Sequence, residues 1–207
     1  MTVDAEEADR LELSLEILAE VFAHPTLTGW NGFGLAVQAY QKRAMFVIDW
    51  LAAQAQKTGR RWCTRLVKGA YWDVSYLACA RRLFDYGDLF YPQFATHNAH
   101  TIAAIHHYAK GRPFEFQRLH GMGADLYDEV VGEKHLNIPC RVYAPVGSHE
   151  DLLPYLVRRL LENGANTSFV NRIVDENTPI RDLVADPCEV VRGFESKAHP
   201  RIPQPIN

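Results

Sequence analysis

Short β-favouring runs alternate with helical segments along almost the whole chain, and that alternation restricts the fold more than any other feature. Residues 5–23 place Leu11, Leu15, Leu18 and Phe22 at helical spacing, with acids crowding the first turn and Pro25 and Gly29 closing the segment. The run GFGLAVQAY (32–40) predicts a buried strand, and 42–57 a helix ending at Gly59. The rhythm repeats as strand 61–70, helix 74–84, strand 89–98 and helix 99–110, which Gly111 stops. Strand 114–123, a short helix at 124–131 and strand 138–147 follow. A last helix begins at Ser148, where Asp151 three residues on makes a capping box; Pro154 is expected to kink its first turns, and Asn163-Gly164 to stop it. With VDA at the N-terminus as the end of one more strand, six β segments alternate with helices. This is the signature of an α/β fold with a parallel sheet and helical crossovers, whose strands are expected to be apolar on both faces. No linker divides residues 1–187, and 188–207 reads as an irregular tail.

Composition removes several function classes. Lys and Arg total 22 against 25 Asp and Glu, which leaves no electrostatic footprint for nucleic acid. No run of about 18 apolar residues marks a membrane span. The start, MTVDAEEADR, is acidic and lacks the basic and apolar regions of a secretory signal. Cys63, Cys79, Cys140 and Cys188 are dispersed without a C-x-x-C pair, which favours reduced thiols in the cytoplasm.

Parallel α/β folds carry their chemistry where strands end. Those ends supply Asp4, then Gln38 and Gln41, Arg65 and Lys68, His97 and Asn98, Gln117 and His120, and finally Arg141 and Tyr143. Any one of them is ordinarily a helix cap or a solvated rim residue; their recurrence at successive mouths points to a site. Alternation along the third strand lets Arg65 reach the interior only if Lys68 lies beyond the strand end, and Gly69 suits that break. A cation pair there suits an electron-rich or anionic partner. Arg158 and Arg159 diverge on their helix, and Glu162 lies within reach of either. A solvated ion pair there is worth about 0–1 kcal/mol, whereas paired guanidinium forks grip a carboxylate well. His97-x-x-His100 and His106-His107 lack a third ligand at metal-site spacing, so no metal is expected. The phosphate-loop, nucleophile-elbow and dinucleotide fingerprints do not occur.

Taken together, WNGFGLAVQAYQKR, RLVKGAYWD, YPQFATHNAHT, FEFQRLHGMG, CRVYAPVG and YLVRRLLENGANTSFVNR resemble the proline dehydrogenase domain of the bifunctional proline utilisation A flavoproteins. The resemblance implies a partial (β/α)8 TIM-type barrel of about six βα units, beginning at the third strand and lacking the first two. It implies FAD as cofactor, oxidation of L-proline to Δ1-pyrroline-5-carboxylate, quinone as electron acceptor and peripheral membrane association of the parent protein. Residue by residue, Arg158 and Arg159 resemble the grip on the proline carboxylate, and Asp4, Ala70, Leu119 and Tyr143 the remaining substrate pocket. Gln38, Arg65, Lys68, Tyr71, Trp72, His97 and Glu162 resemble the flavin contacts, with Arg65 and Lys68 beside the reacting ring. Family members carry an insertion after Tyr71-Trp72-Asp73 that this chain lacks. Two other readings stand beside this one: an inactive barrel fragment that forms homo-oligomers through open sheet edges, and a Schiff-base lyase using Lys68.

Overall fold

The computed structural model describes residues 1–5, 8–68, 73–164, 172 and 175–196. Six strands form one sheet in sequence order: β1 (Thr2–Val3), β2 (Gly34–Gln38), β3 (Trp62–Val67), β4 (Phe90–Ala95), β5 (Glu115–Leu119) and β6 (Cys140–Tyr143). Every pairing is parallel. Between them run α1 (Leu11–Ala23), α2 (Ala44–Thr58), α3 (Asp73–Asp85), α4 (Ala99–Ala109) and α5 (Ala124–Asp128), and α6 (His149–Gly164) follows β6. The alternation read from the sequence is therefore the observed order, in an α/β partial barrel.

Boundaries differ where strands run into loops. The strand expected over 61–70 ends its ladder at Val67, with Lys68 beyond it and 69–70 outside the described residues; that expected over 138–147 stops at Tyr143, because residues 144–147 leave the hydrogen-bonded ladder. The first helix is preceded by a 3-10 turn, Ala8–Arg10. The expected irregular tail contains α8 (Pro187–Arg192), which follows α7 (Ile180–Leu183). Asp186 caps α8 by accepting the Cys188 N–H at 2.8 Å, and Pro187 sits where a missing N–H costs nothing. The Ser148–Asp151 capping box is present: the Asp151 N–H donates to Ser148 Oγ at 3.3 Å and the Ser148 N–H to Asp151 Oδ2 at 3.2 Å. Helix α6 continues through Pro154 to Gly164.

The two faces of the sheet differ sharply. Toward the helices lie Leu35, Val37, Trp62, Leu66, Phe94 and Phe116, all buried. Trp62 stacks on Phe22 of α1 with ring centroids 3.6 Å apart, and its indole N–H donates to the Leu51 carbonyl of α2 at 3.1 Å. Phe84, Phe94, Phe114 and Phe116 continue the core in tilted and edge-on contacts. On the concave face, register pairs Ala36 with Arg65, Arg65 with Gln93, Gln93 with Glu115, and Gln117 with Arg141. This corrects the expectation of strands apolar on both sides. Only the helix-covered face is a hydrocarbon core; the concave face is lined by polar and charged groups, several of them bonded to one another around Glu115.

Gly34 sets the β2–β3 spacing on that face. A Cβ there would sit 1.7 Å from the Cys63 carbonyl oxygen, so only glycine fits. At the opposite ends of the strands, the Tyr76 hydroxyl of α3 bonds the carbonyls of Leu66 (3.1 Å) and Ala95 (3.0 Å). The Tyr127 hydroxyl of α5 donates to the Thr96 carbonyl at 2.8 Å. These two phenols fix the backbone on either side of the candidate site.

Candidate active site at the carboxyl ends of the strands

Arg65 organises the mouth of the sheet. Lys68 does lie past the strand end, so Arg65 falls on the concave face. Its Nη1 is 3.8 Å from Asp4 Oδ1, just after β1, and its guanidinium carbon is 5.6 Å from the ring centroid of Tyr143 on β6. β1 and β6 are the two outermost strands. A side chain from β3 can meet both only because the sheet curls around it. Arg65 is mostly buried, and its Nε has no hydrogen-bond partner among the described residues.

Lys68, just past the end of β3, carries a charge that acts on His97, just past the end of β4. The Leu119 N–H donates to His97 Nε2 at 3.3 Å, which places the imidazole proton on Nδ1. Burial, reinforced by the charges of Lys68, Arg118 and Arg159, pushes the His97 pKa down to about 4, so the ring is neutral at pH 7. Asn98 caps α4 immediately afterwards, accepting from the N–H groups of His100 (2.9 Å) and Thr101 (3.3 Å). His97 is thus held between a strand end and a helix start. Gln38 is engaged on both sides of its amide: it donates to the Ala5 carbonyl at 3.2 Å and accepts from Gln41 at 2.7 Å.

Each of the two residues that Arg65 meets lines a cavity. One of about 410 Å3 is lined by Asp4, Ala36, Gln38 and residues of α1. The other, about 430 Å3, lies between the β5 and β6 mouths and α6, and is lined by Leu119, Tyr143, Tyr155 and Arg159. Arg159 stacks on Tyr155, its guanidinium carbon 5.2 Å from the ring centroid. Burial, with a smaller push from Tyr155, raises the Tyr143 pKa against the opposing effects of Arg65 and Arg159, keeping the phenol protonated. Arg158 is exposed and is not among the residues lining this cavity; adjacency on the helix turns the two guanidinium groups apart. Ala70, Tyr71 and Trp72 lie outside the described residues, as does the side chain of Glu162.

The concave face also holds a group that strand-end reasoning passed over. Glu115 is buried and accepts hydrogen bonds from Gln93 Nε2 (2.9 Å), Gln117 Nε2 (2.8 Å) and Arg141 Nε and Nη2 (both 2.9 Å). Burial alone would raise its pKa; these bonds and the Arg141 charge outweigh it and hold the carboxyl below its usual range. The signal was the alternation in FEFQRL, where Glu115 and Gln117 interleave with buried phenylalanines.

The residues at the mouth suit an electron-rich, oxygen- and nitrogen-bearing group. Arg65 and Lys68 supply positive charge, a buried guanidinium N–H of Arg65 lacks an acceptor, and His97 offers a neutral N–H. A flavin meets each of these requirements.

Comparison with known proteins agrees. The proline dehydrogenase family model matches residues 1–74 and 73–172. The bifunctional protein PutA of Salmonella typhimurium is 52% identical over 243 aligned positions covering 99% of this chain, and that of Escherichia coli is 51% identical. The chain spans about 18% of the length of these relatives. The crystal structure of Bradyrhizobium japonicum PutA superposes with a TM-score of 0.89 at 50% identity, covering 98% of this chain and 23% of that one. PutA from Bdellovibrio bacteriovorus, inactivated by N-propargylglycine, superposes at 0.86 with 31% identity, covering 99% of this chain and 24% of that one. The alignments run over 243 positions although the chain has 207 residues, and the family match breaks at 73–74. The relatives therefore carry a segment this chain lacks, next to the expected flavin-side motif. With its family model matched from residue 1 to 172 and half of its residues shared with PutA proteins, the chain belongs to the proline dehydrogenase family.

Proposed function

We propose that this chain forms the FAD-binding and proline-binding part of a proline dehydrogenase, acting in the cytoplasm and passing electrons to a quinone. The observation that carries the reading is the convergence of Asp4, Arg65 and Tyr143, from three different strand ends, on one concave mouth in a chain of this family. Arg65, Lys68, His97 and Gln38 would hold FAD, which when bound accepts the hydride that leaves proline C5 while the ring nitrogen releases a proton.

The protein's own contribution is positioning and charge. Arg65 and Lys68 offset negative charge developing on an electron acceptor at this mouth, the Arg65 side chain being already mostly buried against Asp4. Neutral His97 presents its Nδ1 proton without adding a further cation. Arg159 faces the cavity that Leu119 and Tyr143 also line, where its guanidinium suits the substrate carboxylate and the Leu119 side chain the apolar ring. Protonated Tyr143, under the Arg65 guanidinium, stays a donor throughout the neutral range.

Purified chain incubated with FAD and passed through a desalting column should retain a flavin absorption band and bleach on anaerobic addition of proline, regaining colour with a soluble quinone. A second reading, an inactive barrel fragment, is favoured by the missing segment at 73–74. Folded protein that elutes colourless would select that reading.

A further inference from the structure

The loop after β5 is built against His97. Its turn, Gly121-Met122-Gly123, holds both glycines in the left-handed region, at φ 79° and 65°. The turn is fastened from within: the Met122 N–H donates to the Leu119 carbonyl at 3.2 Å, and Arg118 Nη1 donates to the Met122 carbonyl at 2.8 Å. The two glycines nevertheless meet different surroundings. A Cβ at Gly121 would have nothing within 4 Å. A Cβ at Gly123 would lie 3.1 Å from His97 Cδ2, with the Tyr127 ring 3.6 Å away. Tyr127 also donates to the Thr96 carbonyl, at 2.8 Å, which ties the residue before His97 to α5. The imidazole therefore has little freedom to retreat from the loop.

Two ring atoms of His97 face this loop. Nε2 accepts the Leu119 N–H at 3.3 Å, and Cδ2 is the atom nearest Gly123. These atoms are bonded to each other, and Nδ1 is the ring atom opposite that bond, so it points away from the loop. A half-turn of the ring would exchange Nδ1 with Cδ2 and Nε2 with Cε1, leaving the Leu119 N–H against a carbon. We infer that Gly123 is a positioning residue for His97: bare of a side chain, it lets the ring sit where Nε2 accepts the Leu119 N–H, leaving Nδ1–H as the one donor offered to the mouth. The inference rests on the reading that His97 contacts the flavin. The bond to Leu119 has little slack, since 3.3 Å is already long; a methyl on Gly123 displaces the ring by a few tenths of an ångström and misaligns it.

Gly123→Ala and Gly121→Ala carry the same left-handed strain, and only the first meets His97. The first test uses the flavin-free 207-residue chain with isotope-labelled histidine, His97 being assigned through His97→Gln. Its side-chain nitrogen spectrum at pH 7 should show a protonated Nδ1 and a bare Nε2 in the parent and in Gly121→Ala, and displaced His97 signals in Gly123→Ala. FAD affinity, followed by flavin fluorescence, should fall about fivefold in Gly123→Ala and stay within about twofold of the parent in Gly121→Ala. In a His97→Gln background, Gly123→Ala should weaken FAD binding no further. Should circular dichroism show Gly123→Ala unfolded, Gly123→Asn and Gly121→Asn take the place of the alanine pair, because asparagine tolerates the left-handed region. Unmoved His97 signals in Gly123→Ala, equal losses of affinity in the two glycine variants, or the full loss persisting in the His97→Gln background would each overturn the inference. A folded parent chain that takes up no FAD counts against the proposed function instead, and the spectrum of the flavin-free chain then decides the inference.

Discussion

Arg141 on β6 holds the Glu115 carboxylate of β5 through two hydrogen bonds of 2.9 Å, one to each oxygen, so the outermost strand is tied to the sheet by a planar fork as well as by its backbone. Glu115 is almost fully buried while Arg141 is largely exposed. Replacing the carboxylate by an amide therefore leaves Arg141 free to rehydrate, whereas Gln93 and Gln117 keep only a neutral, weaker shared acceptor. Glu115→Gln should cost about 1–3 kcal/mol at pH 7, read as a shift in the urea midpoint. The folded pKa is depressed, so this stability is present above the unfolded carboxyl value and is lost as pH falls through the folded one. The difference between parent and variant should shrink accordingly below pH 4.

His97 makes a second acid-sensitive contribution with a different window. Its pKa falls from 6.5 to about 4 on folding, because burial and neighbouring cations oppose the charged ring. Between those values the unfolded chain binds a proton that the native chain refuses, so stability drops as pH falls from 6.5 toward 4, by roughly 3 kcal/mol in total. His97→Gln should flatten this slope in urea titrations at pH 7.5, 5.5 and 4.5. An unchanged slope would show that other groups carry it.

Gly34→Ala should be among the most damaging single substitutions. The added methyl meets backbone, not a flexible side chain, so β2 and β3 must separate or slip. A loss of about 4 kcal/mol or more is expected, visible as insoluble expression or a lowered thermal midpoint.

Arg65→Met keeps the length of the side chain and removes its charge and donors. Folding should persist by circular dichroism, because the partner Asp4 is well exposed and readily solvated. FAD affinity, followed by flavin fluorescence, should fall about tenfold or more, equivalent to roughly 1.4 kcal/mol or more. Arg65→Lys should recover part of the charge but not the fork geometry.

Much of this was legible in the chain itself. Helix and strand identities followed from apolar spacing, and the Ser148–Asp151 cap from two residues at the right separation. Arg65, His97 and Tyr143 were marked by lying at strand ends, a position the α/β alternation defines before any coordinate is known, and Arg159 by its place in an arginine pair on a helix. Arg158 was marked equally, since adjacency in sequence cannot say which of two neighbours turns toward a cavity. Strand lengths were overestimated because apolar residues continue past the last ladder bond.

Local sequence determined the elements, their order and their parallel direction, because periodicity, caps and crossover length are properties of neighbouring residues. Tertiary structure alone decided that the sheet curls until Arg65 from β3 meets Asp4 and Tyr143 at opposite edges. It alone made Glu115 the shared acceptor of three strands and set the His97 imidazole against Leu119. Those relationships join residues tens of positions apart, and their geometry depends on the curvature that the whole sheet acquires once its apolar face is covered by helices.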